Sequence, residues 1–156
     1  MSTRPKLIFL LNSAQRHLQQ WLAAEQATAA DQAGTPMPTP AQSGVLFALA
    51  KSDGITMGQL AQLLDLEPPA VSGLVQRTEV LGWAQRRPCK HDGRTQRVWL
   101  QPAGRALLPL MTSTTHRVNQ QLADGFTDAE LQTVARWLAH VRQLPRAPQE
   151  GDDHVA

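Results

Sequence analysis

Residues 56–82 read TMGQLAQLLDLEPPAVSGLVQRTEVLG, and this stretch decides the fold. Thr56 and Gln59 stand at capping-box spacing. The threonine hydroxyl accepts from the backbone N–H three residues on, and the glutamine side chain returns the bond. Leu60, Leu63 and Leu64 then recur at helical spacing, which predicts a short helix with these leucines turned inward. Asp65-Leu-Glu-Pro68 reads as a turn. Pro68 and Pro69 suit the first turn of a second helix, where their missing N–H groups cost nothing. Val71, Leu74, Val75 and Leu81 give that helix a buried face, and Gly82 stops it.

Downstream the pattern changes. From Trp83 to Leu100 apolar and polar residues partly alternate, most clearly in Arg97-Val-Trp-Leu100. His91-Asp-Gly93 sits at the middle, and Asp-Gly is a hairpin signal. Two short strands around a basic loop are expected. Helix, tight turn, helix and basic hairpin together make a winged helix-turn-helix, placed at about residues 39–100.

Upstream, Thr39-Pro-Ala-Gln42 is another capping box, opening a helix with Val45, Leu46 and Leu49 inside and Lys51-Ser-Asp-Gly54 at its end. Gly34-Thr-Pro-Met-Pro-Thr-Pro40 is a connector, because three prolines forbid a continuous helix. Before it, Leu7, Leu11, Ala14, Leu18 and Leu22 mark a helix over about 5–30, its stripe widened by Ile8, Leu10 and Trp21. So apolar a first helix suits a second subunit better than one small lobe. After the hairpin, Pro102 restarts a helix through Leu107, Met111, Thr114, Val118 and Leu122, with Pro109 expected to bend it. Thr127-Asp-Ala-Glu130 opens a last helix carrying Leu131, Val134, Ala135, Leu138 and Val141, and Pro145 ends it. The expected class is mainly α with a small β-hairpin wing (α+β). A winged helix-turn-helix lobe and an all-helical dimerisation region, about 5–30 and 102–145, form one domain over 1–145. The polar stretch 146–156 is expected to be a disordered tail.

Composition bounds the function. The chain has 156 residues, 42% hydrophobic and 18% charged, enough for one ordinary core. One cysteine excludes a disulfide scaffold and multi-Cys zinc sites. The longest apolar run, Leu7 to Leu11, falls far short of the ~20 residues of a membrane span, and no small-residue cleavage site follows it. A soluble cytoplasmic protein is expected. The histidines at 17, 91, 116, 140 and 154 lack metal-ligand spacing. There is no glycine-rich phosphate loop, no nucleophile elbow and no clear acid pair. The reading is therefore no enzyme, no catalytic residue, no metal and no cofactor.

Charge points elsewhere. The net charge is +2, but Arg77, Arg86, Arg87, Lys90, Arg94, Arg97 and Arg105 face only Glu79 and Asp92, so residues 77–105 carry +5 and the rest −3. A concentrated positive field on an otherwise acidic chain suits a polyanion. A helix about 10 Å across fits the major groove, where each base pair shows a distinct donor and acceptor pattern. A wing arginine can enter the electronegative minor groove. The N-terminus after Pro68 would add a row of free N–H groups for a phosphate.

Leu63-Leu-Asp-Leu-Glu-Pro-Pro-Ala-Val-Ser72, Leu81-Gly-Trp-Ala-Gln-Arg-Arg87, Asp92-Gly-Arg94 and Leu100-Gln-Pro-Ala-Gly-Arg-Ala-Leu107, in that order, resemble the MarR family of bacterial transcription regulators. The likeness runs over nearly the whole chain. It implies a homodimer that binds near-palindromic operators, usually as a repressor, released by a small molecule (often an aromatic acid) or by oxidation. Carried over to this sequence, Ser72, Gln76 and Arg77 would meet bases or phosphates, and Pro69 and Ala70 would sit at the helix entrance. Arg94 would enter the minor groove, held by Asp92, while Arg86, Arg87, Lys90 and Arg97 would supply phosphate contacts. A helix-surface ion pair is the plainer alternative for Arg77, a solvated loop residue that for Arg94. Gly73 departs from the polar or basic residue common there, and Thr78 from a common core leucine. Both make the operator hard to guess.

The resemblance also places effectors near the first, second and fifth helices. Arg16, His17 and Trp21 lie within about a turn and a half, and a cation or imidazole beside an indole would suit an aromatic carboxylate. His116 is a weaker candidate. Core or interface packing is the plainer alternative for Trp21. Cys89 lies among Arg86, Arg87, Lys90 and His91, where positive neighbours lower a thiol's pKa. That leaves a redox-responsive regulator as one alternative. A winged helix that binds a protein is another, though it leaves the basic wing unexplained.

Overall fold

A computed structural model describes residues 5–145. The expected α+β class holds: the described residues form six helices and one small three-stranded antiparallel sheet. The three threonine boxes all form. Thr39, Thr56 and Thr127 each accept from the N–H three residues on, and Gln42, Gln59 and Glu130 return the bond. They open α2 (Pro40–Lys51), α3 (Met57–Leu64) and α6 (Asp128–Arg142). The first helix, α1, runs Leu7–Ala33, three residues past the expected end, to a left-handed Gly34. The second helix of the turn motif, α4, is Pro68–Val80. After it, α5 runs Pro102–Ala123 and contains Pro109 without interruption. The described residues divide into two compact units, with the boundary between Thr112 and Ser113. The expected tail, 146–156, lies outside the described residues.

The core belongs to the first unit. Val45, Leu46 and Leu49 of α2 meet Leu60 of α3, Val71 and Val75 of α4, and Val98 of the sheet, all fully or almost fully buried. Thr78 is fully buried with its hydroxyl satisfied. Its hydroxyl donates to the Leu74 carbonyl at 2.9 Å, the usual satisfaction of a helical threonine.

The sheet has one strand more than the hairpin reading foresaw. Ile55–Thr56 (β1) pairs with Gln96–Leu100 (β3), which pairs with Ala84–Pro88 (β2). A two-residue strand is too short to show periodicity. What holds it is long-range. Asp53 accepts the Leu100 N–H at 2.7 Å, and Arg97 donates to the Gly54 carbonyl at 2.7 Å. Gly54 has φ +73°, and a Cβ there would meet the Trp99 ring at 2.6–2.9 Å, so both conformation and packing need glycine.

Other local expectations fail for identifiable reasons. Leu63 is 61% exposed: α3 is two turns long, and Leu60, Ala61 and Leu64 already fill its inner side. Leu81 follows the end of α4 as its C-cap and is exposed. At the end of α3, Asp65 takes the left-handed cap at φ 54°. At α4, Pro68 and Pro69 carry no N–H, and Val71 donates to the Glu67 carbonyl. The expected row of free donors therefore shrinks to at most that of Ala70.

Candidate nucleic-acid interface

Because Val71, Leu74, Val75 and Thr78 point into the core, the opposite side of α4 is fixed as outer surface. Pro69, Ala70, Ser72, Gln76 and Arg77 are all exposed there, at positions that recur along one helical face.

The wing is built differently. Residues 89–95 form the loop, closed by Cys89 N–H to the Thr95 carbonyl at 2.7 Å. This is no two-residue turn, and Gly93 is not left-handed. The Asp92 side chain shapes it, accepting from the Arg94 N–H at 3.0 Å and the Thr95 hydroxyl at 2.8 Å. Those bonds, the Thr95 hydroxyl foremost, hold the Asp92 carboxyl below its ordinary value. Asp92 thus fixes the backbone at Arg94, and Arg94 itself is exposed.

One groove of about 410 Å³ brings these elements together. Its walls are Thr56, Met57 and Gly58 at the start of α3, Pro68 and Ser72 of α4, Arg86 of β2, and Arg94, Thr95 and Gln96 of the wing. Among the sequence candidates, Ser72, Arg86 and Arg94 share it. Gln76 and Arg77 lie further along α4, outside its lining.

The basic residues divide by environment. Arg86 is half-buried, with its Nε 2.8 Å from the Glu79 carboxylate, which also accepts the Arg86 backbone N–H at 2.6 Å. This pair ties β2 to α4. Arg97 is likewise half-buried and bonded to Gly54. Arg87 is exposed and fans onto the Gln85 side chain at 2.9 and 3.1 Å. Lys90 is exposed. Sequence reading treated these cations alike. The signal that separates Arg86 is Glu79, seven residues earlier on α4, the one acid that precedes it within the basic stretch.

Cys89 lines a second wing depression, of about 450 Å³, with Arg87, Lys90, His91, Arg97 and Trp99. Its thiol is held below the ordinary value by the His91 backbone N–H first, then the Arg97 guanidinium and the Asp92 N–H.

The effector candidates are not gathered by one site. Arg16 lines a surface depression of about 420 Å³ on α1 with Phe9, Asn12, Gln15 and Gln19. His17 and Trp21 lie outside that lining, His17 exposed and Trp21 half-buried. His116 is exposed in the second unit. Among the described residues no three His, Cys, Asp or Glu side chains could hold a metal, and no helix is long and apolar enough to cross a membrane.

The lobe just described coincides with a known family model. Residues 38–95 match MarR_2, the MarR family, from the residue before the α2 cap to the wing tip. This chain carries a MarR-family winged helix. Solved structures extend the likeness beyond the MarR-family lobe. A probable transcriptional regulator from Pseudomonas aeruginosa is 27% identical, covering 87% of this chain and 96% of its own at TM-score 0.71. BpsR of Bordetella bronchiseptica, whose DNA binding is regulated by 6-hydroxynicotinic acid, is 23% identical, covering 93% and 98% at TM-score 0.74. PcaV of Streptomyces coelicolor, solved with its natural ligand, is 17% identical, covering 92% and 99% at TM-score 0.73. The last two share the fold. No protein of curated function matches the sequence significantly.

Proposed function

We propose that this MarR-family chain is a cytoplasmic, ligand-responsive transcriptional repressor, binding a near-palindromic operator as a homodimer and released by a small aromatic acid. The observation that carries DNA binding is the shared groove: Ser72 of α4 and Arg94 of the wing line one depression, with Asp92 presetting the backbone at Arg94. In this reading α4 enters the major groove and Arg94 the adjacent minor groove. Pro69, Ala70, Ser72, Gln76 and Arg77 face bases or phosphates. The exposed Arg77, Arg87, Lys90 and Arg94 supply the cations. Arg86 and Arg97, each with an intramolecular partner, mainly set the wing's position.

Homodimerisation is supported by the exposed apolar residues Leu7, Ile8, Phe9 and Leu10 of α1 and Val134 and Leu138 of α6. The aromatic-acid effector is supported by chemistry: BpsR responds to an aromatic carboxylate, and here Arg16 offers a cation beside Phe9. His17, Trp21 and His116 stand as its further candidates. A gel shift with the DNA upstream of the protein's own gene tests operator binding. A thermal-shift screen of aromatic acids, followed by Arg16→Ala and His17→Ala, tests the effector site. Those variants should keep operator binding and lose release.

A second reading, redox response, rests on the place of the Cys89 thiol in the wing depression beside Arg87, Lys90 and Arg97, where its hydrogen-bond donors hold it below its ordinary value. Peroxide would oxidise the thiolate to sulfenic acid, releasing hydroxide. Operator affinity that falls on peroxide treatment in the wild type and not in Cys89→Ser would support it.

A further inference from the structure

We infer that Gly73 is a positioning residue for Arg77: it leaves the middle of α4 bare so that the Arg77 guanidinium lies back against it and reads guanine at one position of each half-site. The inference rests on the DNA-binding reading above.

Glycine inside a helix is destabilising relative to alanine, so each such glycine needs a reason. Gly58 lies in the capped first turn of α3, outside the helix interior, and two others have reasons in the fold. At Gly104 of α5 a Cβ would strike the Trp83 carbonyl oxygen, and at Gly44 of α2 it would press on Leu64 Cδ2 at 3.1 Å. Gly73 has neither a left-handed backbone nor a core neighbour. The one close atom a Cβ would meet is Arg77 Nη1, at 3.3 Å. Helical side chains lean toward the N-terminus, so an arginine one turn onward lies back over this position. What the glycine accommodates is therefore a guanidinium, on the face that also presents Ser72 and Gln76.

That placement has a recognition consequence. A guanidinium is a rigid planar fork, and guanine presents O6 and N7 to it in the major groove. A methyl group at residue 73 requires the fork to give way by a few tenths of an ångström. Bidentate geometry is sensitive to such a shift, whereas phosphate attraction is not.

The test selects duplexes from a random pool with the full chain as wild type, Gly73→Ala, Arg77→Ala and the double variant. Alanine is the better helix former, so Gly73→Ala keeps the fold. The wild type should prefer guanine at one position per half-site by about tenfold or more. Gly73→Ala should cut that preference about threefold or more, Arg77→Ala should remove it, and the double variant should match Arg77→Ala. An unchanged preference in Gly73→Ala, even with uniformly weaker binding, overturns the inference. So does a wild type without an Arg77-dependent guanine, or any Gly73→Ala effect on preference in the Arg77→Ala background. A wild type that captures no duplex at low salt overturns the DNA-binding reading itself and this inference with it.

Discussion

The winged lobe and α6 are written with the same kind of apolar stripe, and the two end in opposite states. In the lobe, Leu46, Leu49, Leu60 and Val75 are completely removed from solvent. In α6, Leu131, Val134, Leu138 and Val141 recur at the same helical spacing, yet the helix has no buried residue and Leu138 is 40% exposed. The first turns of α1 go further, with Ile8 81% exposed. Periodicity therefore specifies a helix and the side of it that is apolar. It does not specify whose surface will cover that side. The lobe closes its stripes with its own sheet and helices. The flanking helices leave theirs for another surface, which the proposed dimer supplies.

The contrast breaks if removing a side chain from either region has the same effect. Leu46→Ala should cost about 2–5 kcal/mol in urea or thermal unfolding, through lost burial and a residual cavity. Leu138→Ala, measured where the chain is dilute enough to be monomeric, should stay within about 0.5 kcal/mol. Similar losses would refute the division. The second effect concerns association. Ile8→Asp should raise the dimer dissociation constant tenfold or more by sedimentation, since burying an isoleucine is worth about 1.5–3 kcal/mol. A chain that stays equally dimeric, or never dimerises, would remove the assigned cover.

Within the lobe, Glu79→Gln sharpens the split between cations that hold the wing and those left exposed. It should cost about 1 kcal/mol in chemical denaturation, because the pair is only partly screened by solvent and carries two short hydrogen bonds. Gln85→Ala, which frees the exposed Arg87, should change stability little.

The smallest effect is a pH signature at the wing tip. The folded Asp92 carboxyl sits below its ordinary value of 3.8. Its support of the turn is then complete above that unfolded value, and is lost as pH falls through the folded one. Asp92→Asn should weaken the turn at pH 7 and make no difference well below pH 3.8. A carboxyl resonance titrating at or above 3.8 would contradict the geometry.

Legibility in the sequence followed physical range. Capping boxes act over three residues, so Thr39, Thr56 and Thr127 announced three helix starts correctly. Stripes act over a few turns, and they located the core through Val45, Leu49 and Val75. The strand at Ile55 depends on Asp53 reaching Leu100, 47 residues away, and no local pattern encodes that. Leu63 was misplaced because a two-turn helix has less inner surface than its three leucines suggest. In the wing, the family resemblance paired Asp92 with Arg94, and the hydrogen bond that couples them spans only two residues. The different environments of Arg86 and Arg87 were not legible, since a tertiary partner on α4 decides them.

The proposed function requires α4 and the wing to grip duplex DNA together, and the salt dependence of that grip is its sharpest test. With ~4 phosphates neutralised per subunit and ~8 per dimer, operator affinity should fall on the order of 10⁴-fold between 50 and 200 mM salt, and Arg77→Ala/Arg94→Ala should bind far more weakly with a shallower slope. Affinity indifferent to salt, or unaltered in that double variant, would contradict the account.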